Sequence, residues 1–405
     1  MHIAYIHQHF STPRGATGTR SYEMSQRLMR AGHRVTMICG ASTGSDMAAA
    51  ATDGVNEFDA DGIRVLSIAQ AYANTMGFWQ RIQSFRGFAA SALRVVSRLD
   101  ADLVFATSTP LTVGIPGMKG ARRLGAPFVF EVRDLWPEVP IAIGAIKNPL
   151  IKWYTRRLER IIYRAAREII ALSPGMKRGI VATGYPAERV TVVPNGCDLD
   201  DFTPADEKTS DERFGQPGEL RLIFTGAHGP ANGLDAVLDA AGELKRRGAA
   251  GARLIFMGQG REKARLMRRS RDEGLDGLVN WVDPISKEEL ARVLPRLDVG
   301  LMILRNLPAF YFGTSPNKFF DYIASGLPVL NNYPGWLAEL IREHECGLAV
   351  PPDDPAAFAD AVLWLRDHPD ERRAMGQRGR ALAEAQFSRD RLGAEFVAVL
   401  ERAGR

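Results

Sequence analysis

Two apolar stretches decide the fold: Val190-Thr191-Val192-Val193-Pro194-Asn195-Gly196, which closes one series, and Leu220-Arg221-Leu222-Ile223-Phe224-Thr225, which opens another. A polar run from Asp198 to Gly218 separates them and contains no long apolar segment. On both sides, short apolar runs alternate with segments long enough to form helices. The pattern therefore restarts once along the chain, which predicts two α/β domains with their boundary in the polar run.

The apolar runs are mostly continuous rather than alternating in polarity, as expected of strands buried on both faces of a parallel sheet. Each domain is therefore predicted to be a doubly wound, Rossmann-like sheet. Two such domains facing each other would form a cleft, and ligands bind at the carboxyl ends of the strands in such sheets. The predicted strands are Ile3–Ile6, Val35–Cys39, Ile63–Ile68, Leu103–Ala106, Pro127–Val132, Glu168–Leu172, Val190–Val193, Leu220–Thr225, Arg253–Met257, Val279–Val282, Val299–Leu304, Val329–Asn331 and Leu348–Val350.

The composition is that of an ordinary globular protein: 405 residues, 45% hydrophobic and 24% charged, with a net charge of +5. This charge and the lack of any nucleic-acid-binding motif argue against a nucleic-acid partner. Three distant cysteines form no disulfide framework or zinc site, so a reducing compartment is expected. No apolar run approaches the about 20 residues that cross a bilayer, and no secretory segment is recognised. We expect a cytoplasmic protein.

One segment carries the most chemical information: Gly313-Thr314-Ser315-Pro316-Asn317-Lys318-Phe319-Phe320-Asp321-Tyr322. Ser315 is a good N-cap and Pro316 suits the first helical position, so we predict a helix that starts here. Its free backbone N–H groups and positive dipole end would bind a diphosphate. Lys318 in the first turn suggests a second cation for that diphosphate, and Asp321 would accept both ribose hydroxyls. The alternative is a capped structural helix whose Lys318 and Asp321 form a surface pair.

The segments S-P-N-K-F-F-D-Y-I-A-S-G-L-P-V, V-V-P-N-G-C-D and Q-H-F-S-T-P-R-G-A-T-G-T-R-S-Y-E resemble the retaining family-4 glycosyltransferases of GT-B fold. The likeness is greatest to bacterial enzymes of O-antigen, capsule and lipopolysaccharide assembly, such as fucosamine transferases, and runs from Ile3 to about Val350. It implies an acceptor-side domain at 1–198, a nucleotide-sugar-binding domain at 199–386, and a terminal helix at 387–405 that returns to the first domain. It also implies donor contacts from Thr314, Ser315, Asn317, Gly258 and Val282.

In its second domain, the chain lacks a charged residue that this family has at three positions. The family places two glutamates eight positions apart, and here Asp321 keeps the second while Gly313 replaces the first. The family's Arg and Lys in the loop after the first strand of the second domain are replaced by Ala227 and Asn232. Leaving-group charge must still be stabilised. The remaining candidates are Lys318, His228, Arg305 and the helix N-terminus, of which we favour Lys318 with the backbone amides.

Two loops of the first domain are further candidates. Gly15 and Gly18 would let the backbone approach a phosphate or sugar closely, or would serve only the turn. Arg133, Asp134 and Glu138 follow a buried strand, where charged residues are more often functional than structural. In many relatives a histidine at the Arg133 position contacts the transferred sugar, so Arg133 would act differently, by bracing a carboxylate. Asp134 or Glu138 would accept the acceptor's proton, directly or through the departing phosphate.

No metal or other cofactor is expected. The Asp198-Leu199-Asp200 match to a metal motif recurs at two other places in the chain, as chance would give, and the resemblance places it in the interdomain linker.

Aromatic and basic residues interleave at 76–88 and again at 147–167. Both stretches suit an anionic membrane surface and a polyprenyl diphosphate acceptor, which predicts a peripheral protein on the inner face of the plasma membrane. We favour the first stretch as the membrane-facing patch. For the second stretch, a core position for the aromatics and a solvated face for the bases is an equal alternative.

The sequence leaves three functions open. The first is a retaining hexosyl- or N-acetylaminosugar transferase that moves a sugar, most simply from a UDP-sugar, to a glycan or polyprenyl-linked acceptor. The second is a UDP-sugar 2-epimerase on the same architecture. The third is a non-catalytic nucleotide-sugar-binding protein, suggested by the missing acid and the missing Arg and Lys.

Overall fold

Buried apolar runs form the strands in both halves of this computed structural model, which describes residues 1–15, 18–42, 45–46, 54–72, 76–311 and 313–405. The chain divides into two units. The first comprises Met1–Pro194, Gly313–Ser315 and Asp390–Arg405, and the second comprises Asn195–Phe312 and Pro316–Arg389. Each unit has its own sheet and its own apolar core.

The first unit contains an eight-stranded sheet in its described residues, with the spatial order β3-β4-β2-β1-β5-β6-β7-β8. The strands are β1 His2–Ile6, β2 Arg34–Ser42, β3 Val55–Ala60, β4 Ile63–Tyr72, β5 Leu103–Thr107, β6 Phe128–Val132, β7 Glu168–Ala171 and β8 Val190–Val192. The helices are α1 Arg20–Arg30, α2 Phe78–Val96, α3 Gly114–Leu124, α4 Glu138–Ala142, α5 Pro149–Ala165 and α6 Pro174–Ala182.

The second unit contains a six-stranded parallel sheet in its described residues, with the order β11-β10-β9-β12-β13-β14. Its strands are β9 Leu220–Thr225, β10 Ala252–Met257, β11 Val279–Val282, β12 Val299–Met302, β13 Val329–Asn331 and β14 Gly347–Ala349. Its helices are α7 Asp235–Arg246, α8 Lys263–Asp272, α9 Lys287–Val293, α10 Pro308–Tyr311, α11 Asn317–Ala324, α12 Trp336–Glu343, α13 Pro355–Asp367 and α14 Pro369–Gln386.

The last helix, α15 (Arg389–Gly404), packs on the first unit. Phe396 meets Phe105 of β5 edge to face, with the ring centroids 5.1 Å apart. The Arg402 guanidinium lies 3.1 Å from the carboxylate of Glu168, which begins β7. An apolar contact in the core and an ion pair at the edge therefore both tie α15 to this sheet.

Every predicted strand overlaps a strand of the structure, so the prediction of two parallel, doubly wound sheets is confirmed. The antiparallel strand β3 was missed. It pairs with β4 through a turn in which Asp61 and Gly62 have φ of 55° and 86°. The Asp61-Gly62 dipeptide just before the apolar run at Ile63 is an ordinary hairpin signal, which is how the sequence could have revealed this strand.

Within the described residues, no helix is both long enough and apolar enough to span a bilayer. The three cysteines Cys39, Cys197 and Cys346 are buried and free.

Candidate functional site

The order of strands in the second unit reverses between β9 and β12. The chain runs from β9 through α7 to β10 on one side, and from β12 through α11 to β13 on the other. In doubly wound sheets this switch point opens a crevice at the carboxyl ends of the strands, where ligands bind. The loops that follow β9 and β12 therefore form the candidate site of this unit.

Helix α11 is anchored to the end of β9 by Tyr322. The backbone N–H of Thr225 donates to the Tyr322 hydroxyl at 3.0 Å, and the hydroxyl donates to the carbonyl of Ile223 at 3.1 Å. A side chain at Gly300 of β12 would put its Cβ 2.3 Å from the Tyr322 ring, so glycine is required where helix and strand meet. This packing fixes the first turn of α11 over the candidate site.

The predicted cap at the start of α11 is wrong. The helix begins at Asn317, and Pro316, with φ −75° and ψ 135°, occupies the N-cap position without a side-chain cap bond. Proline suits this extended conformation, and a residue before a proline is itself disfavoured in helical geometry, which keeps Ser315 outside the helix. Ser315 is buried, and with Thr314 it belongs to the first unit.

Lys318 lies on the first turn of α11, directly over β9. Its Nζ is 3.8 Å from the centroid of the Phe224 ring, and a Cβ at Gly226 would come within 3.4 Å of the same atom. Burial lowers the pKa of Lys318 to about 7, and no carboxylate among the described residues pairs with it. This ammonium is therefore a part-buried cation without a counter-charge, at the carboxyl end of the central strand.

Asp321 follows one turn later and is partly buried. Burial raises the pKa of its carboxyl group to about 7, and the neighbouring carboxylates of Asp198 and Asp201 act in the same direction, against Lys287 and Arg389. It is thus neither fully exposed nor paired with Lys318. The alternative of a simple surface pair between Lys318 and Asp321 is wrong.

Asp198, at the start of the linker, forms ion pairs with two cationic side chains. Burial alone would raise its pKa, but ion pairs with Arg389 and Lys287 hold the pKa of this carboxyl at about 2. In the described part of the chain, no group of three His, Cys, Asp or Glu residues is arranged to hold a metal ion.

A hydrogen bond between Asn232 and Ala227 stabilises the loop after β9. The side-chain amide of Asn232 donates to the carbonyl of Ala227 at 2.6 Å. These are the positions at which the resemblance expects two cations. The bond between them stabilises the loop, but neither side chain supplies positive charge.

His228, in the same loop, was predicted as a possible cation for the diphosphate. It is fully buried among the rings of Phe224, Phe256 and Trp281, with centroid distances of 5.8–6.3 Å. Burial, with Lys263 and Lys318 nearby, lowers its pKa to about 4. His228 is therefore neutral at pH 7, and its predicted role as a cation is wrong because aromatic packing removes it from water.

Gly258 and Val282 lie beside this loop. The N–H of Gly258 donates to the carbonyl of Val282 at 3.1 Å, and the N–H of Gly226 donates to Met257 at 3.0 Å. A Cβ at Gly258 would sit 1.8 Å from the Gly226 carbonyl oxygen. Glycine is required there so that the carboxyl ends of β9, β10 and β11 can approach one another closely.

Lys263, the first residue of α8, borders the candidate site and was not singled out in the sequence. Its Nζ donates to the carbonyl of Gly258 at 3.0 Å and to the Asp283 carboxylate at 2.6 Å. Gln259 donates to the same carboxylate at 3.1 Å. The exposed carboxylate of Asp283 is thus oriented at the edge of the β10 and β11 loops. A lysine in the first turn of a helix, as with Lys318, was the available signal.

Arg305 is exposed, and its surroundings differ in charge from those of Lys318. It lines a cavity of about 330 Å³ behind the β9 loop, together with four carboxylates and one further arginine: Asp235, Asp239, Glu262, Asp353 and Arg265. Carboxylates outnumber cations there, so this cavity disfavours a diphosphate. Lys318 remains the better candidate for that charge.

In the first unit, the strand order reverses between β1 and β5. Arg133, just after β6, places its guanidinium 3.3 Å from Nε2 of the buried His7, just after β1. Because arginine can only donate, this nitrogen of His7 must accept and carries no proton. Burial and Arg133 lower the pKa of His7, in agreement with a neutral ring.

Asp134 and Glu138 differ in their surroundings. Burial raises the pKa of Asp134 to about 6, with Arg133 opposing the shift. Glu138, on α4, forms an exposed ion pair with Arg156 of α5 at 2.9 Å. Asp134 is therefore the better candidate for proton transfer.

The two predicted glycines lie in the loop after β1. The backbone N–H of Gly15 donates to the carbonyl of Thr12 at 3.0 Å, which forms a turn. Ala16 and Thr17, just before Gly18, lie outside the described residues.

Two family descriptions match most of the chain. "Glycosyl transferase 4-like domain" matches residues 15–196, and "Glycosyl transferases group 1" matches residues 219–368. The chain is 28% identical over 270 residues to a D-inositol 3-phosphate glycosyltransferase of Pseudarthrobacter chlorophenolicus, covering 65% of this chain and 62% of that relative. The chain thus spans less than two thirds of the length of this relative.

Solved structures resemble the whole chain. Sucrose-phosphate synthase from Thermosynechococcus elongatus superposes with a TM-score of 0.78 at 18% identity, covering 99% of this chain and 98% of that one. Anabaena HepE in complex with UDP-glucose gives a TM-score of 0.71 at 14% identity, covering 99% and 100%. At such identities the likeness establishes the fold alone. With both family matches and this fold, the chain belongs to the glycosyltransferases of GT-B architecture.

Proposed function

We propose that this protein transfers a sugar from a nucleotide-sugar to a hydroxyl group of a glycan or polyprenyl-diphosphate-linked acceptor. The observation that carries the proposal is the uncompensated Lys318 ammonium over Phe224, at the switch point of the second sheet. A cation buried without a partner costs stability, and a diphosphate would supply the missing counter-charge. Asp321 on the next turn would accept the ribose hydroxyls.

Donor binding is assigned to the second unit. The diphosphate would take charge from Lys318 and hydrogen bonds from the start of α11 and from the β9 loop, with Asn317 and Asn232 at its edges. The base would lie by Gly258 and Val282. A UDP-linked sugar is the expected donor, and HepE, of the same fold, was solved with UDP-glucose. No metal is required if Lys318 carries the charge.

Acceptor activation is assigned to the first unit. In the reaction, the bond between the anomeric carbon and the phosphate oxygen breaks, and a bond from that carbon to the acceptor oxygen forms. The acceptor's proton passes to Asp134 or to an oxygen of the departing diphosphate. Arg133 braces this region through His7. Retention of the anomeric configuration is proposed from the family resemblance.

The test is incubation with a panel of UDP-sugars, with and without a polyprenyl-diphosphate-linked glycan, while UDP release is followed. Steady release that increases with the acceptor supports transfer. Interconversion of UDP-sugars without release would instead indicate the epimerase, and tight binding with neither would indicate a non-catalytic binder. The match to two glycosyltransferase families favours the first outcome.

A further inference from the structure

Large hydrophobic side chains are exposed mainly on one segment of the first unit. Among the described residues, seven such side chains are exposed, and five of them fall between positions 143 and 161. Those five are Ile143, Leu150, Trp153, Tyr154 and Ile161. Trp153 is 64% exposed and Leu150 is 75% exposed. A concentration of this kind marks an interaction surface rather than scattered surface hydrophobics.

Helix α5 carries four of these residues on a single face. Positions 150, 153, 154, 157, 161 and 164 follow a spacing of three and four residues, so they form one outward stripe. The opposite face, including Ile162 and Tyr163, is buried in the core of the unit. The helix is therefore held in place by its inner face, while its outer stripe remains open.

Cations line and interrupt the same stripe. Arg157 and Arg164 stand within it, with the Arg157 guanidinium carbon 5.9 Å from the Trp153 ring centroid. Four further cations are close in sequence to the stripe: Lys147, Lys152, Arg156 and Arg160. Of these four, only Arg156 has a carboxylate partner in the described residues. Glu159, the one acidic residue of this helix, is buried. The surface thus combines exposed aromatic and aliphatic side chains with positive charge.

The other aromatic and basic stretch, at residues 76–88, is different, and our preference for it as the membrane-facing patch does not hold. Phe88 is fully buried in the core, and Phe85 stacks on Tyr72 with the centroids 5.6 Å apart. The side chain of Phe78 lies outside the described residues. Trp79 is 75% exposed, but the described aromatics after it turn inward.

The geometry points to the outer face of α5, with Ile143 of α4's C-terminal end, as the surface that docks on an anionic lipid bilayer. A bilayer surface takes up Trp, Tyr and Leu at the headgroup level and attracts neighbouring Lys and Arg through anionic lipids. The side chains of the stripe are highly exposed rather than recessed, which suits a planar partner. This inference extends the proposed function, because the acceptor proposed there is lipid-linked.

The experiment is flotation of the full chain with vesicles of phosphatidylcholine alone or mixed with phosphatidylglycerol. We expect flotation with the mixed vesicles only, weakened by salt. The double variant Leu150→Ser/Trp153→Ser should lose at least about tenfold in partitioning, and each of Arg157→Gln and Arg164→Gln about fivefold. All these positions are exposed, so unchanged thermal unfolding verifies folding.

Matched controls separate this surface from others. Trp79→Ser removes a tryptophan of the other stretch that is more exposed than Trp153, and Arg373→Gln removes an exposed arginine from the second unit. Both should float like the unaltered protein. Equal flotation with uncharged vesicles, no flotation at all, or an equal loss in Trp79→Ser would overturn the inference.

Asp321→Asn keeps vesicle docking distinct from the proposed transfer. It should float normally while its UDP release is reduced. If the unaltered protein floats but never releases UDP, the docking surface stands and the proposed function fails.

Discussion

The guanidinium of Arg20, at the start of α1, lies 2.8 Å from the carboxylate of Glu131 in β6, and both side chains are fully buried. Arg20 also donates to the carbonyls of Val193 and Pro194 at 2.8 and 2.6 Å, and Thr107 donates to Glu131 at 2.6 Å. Each charge is therefore held by several hydrogen bonds. This network joins α1, β5 and β6 to the end of β8, and it explains why Glu131 is structural although it stands beside Arg133.

Removing Arg20 should destabilise the protein strongly. Arg20→Met leaves the Glu131 carboxylate buried without its cation, which costs about 3 to 5 kcal/mol. Urea unfolding would measure the loss. Glu131→Gln keeps an acceptor for Arg20 and should cost less. Arg156→Met, which removes the exposed pair with Glu138, is the control and should change the free energy of unfolding by less than about 1 kcal/mol. An equal loss in both arginine variants would contradict this account.

Lys318→Met should weaken donor binding and stabilise the free protein. Loss of the cation removes a charge-assisted contact to the diphosphate, so the Kd for UDP should rise about 10- to 100-fold by titration calorimetry. The same change relieves a buried, unpaired ammonium and should stabilise the fold by about 1 to 2 kcal/mol. Because the folded-state pKa of Lys318 is depressed to about 7, this gain is full below pH 7 and shrinks as pH rises toward 10.

A rescue variant tests whether charge is what Lys318 supplies. Ala227 is exposed at one of the positions where relatives have a cation. Ala227→Arg in the Lys318→Met background should recover part of the UDP affinity, whereas Ala227→Gln should not. If both recover it equally, charge is not the relevant property.

Donor affinity should be greatest near pH 7 and fall on both sides. The Asp321 carboxyl, with a pKa of about 7, becomes protonated as pH falls and loses its capacity to accept two hydroxyl protons. The Lys318 ammonium, with a pKa of about 7, is lost as pH rises. UDP titrations from pH 5.5 to 8.5 would check this. The acid limb should flatten in Asp321→Asn and the basic limb in Lys318→Met, and an affinity independent of pH would exclude both assignments.

Asp321 should discriminate ribose from deoxyribose. The unaltered protein should bind UDP about tenfold more tightly than 2′-deoxy-UDP, because the carboxylate accepts a hydrogen bond from the hydroxyl that is missing. Asp321→Ala should lower the affinity for UDP and bring this ratio close to one. Asp201→Asn, an exposed neighbouring carboxylate, should leave the ratio unchanged. A ratio that survives in Asp321→Ala would place the ribose elsewhere.

Local patterns were sufficient for the architecture. Continuous apolar runs such as Leu220–Thr225 mark strands buried on both faces, and the restart at Leu220, after the polar run from Asp198 to Gly218, marks a second sheet. Pro316 indicated the start of α11 to within one residue, although the predicted cap, Ser315, was the wrong residue. The hairpin β3–β4 was overlooked despite its Asp61-Gly62 turn.

The sequence by itself determined which segments are strands, where the pattern restarts and where a helix begins next to Pro316, because these follow from hydrophobic period and backbone preference over a few residues. Only the tertiary structure decided that Arg20 neutralises Glu131, that His228 is buried among aromatic rings while Lys318 stands without a counter-charge, and that Trp153 faces outward while Phe88 packs in the core. Burial and pairing depend on residues far apart in the chain, and burial in turn sets the charge of each group.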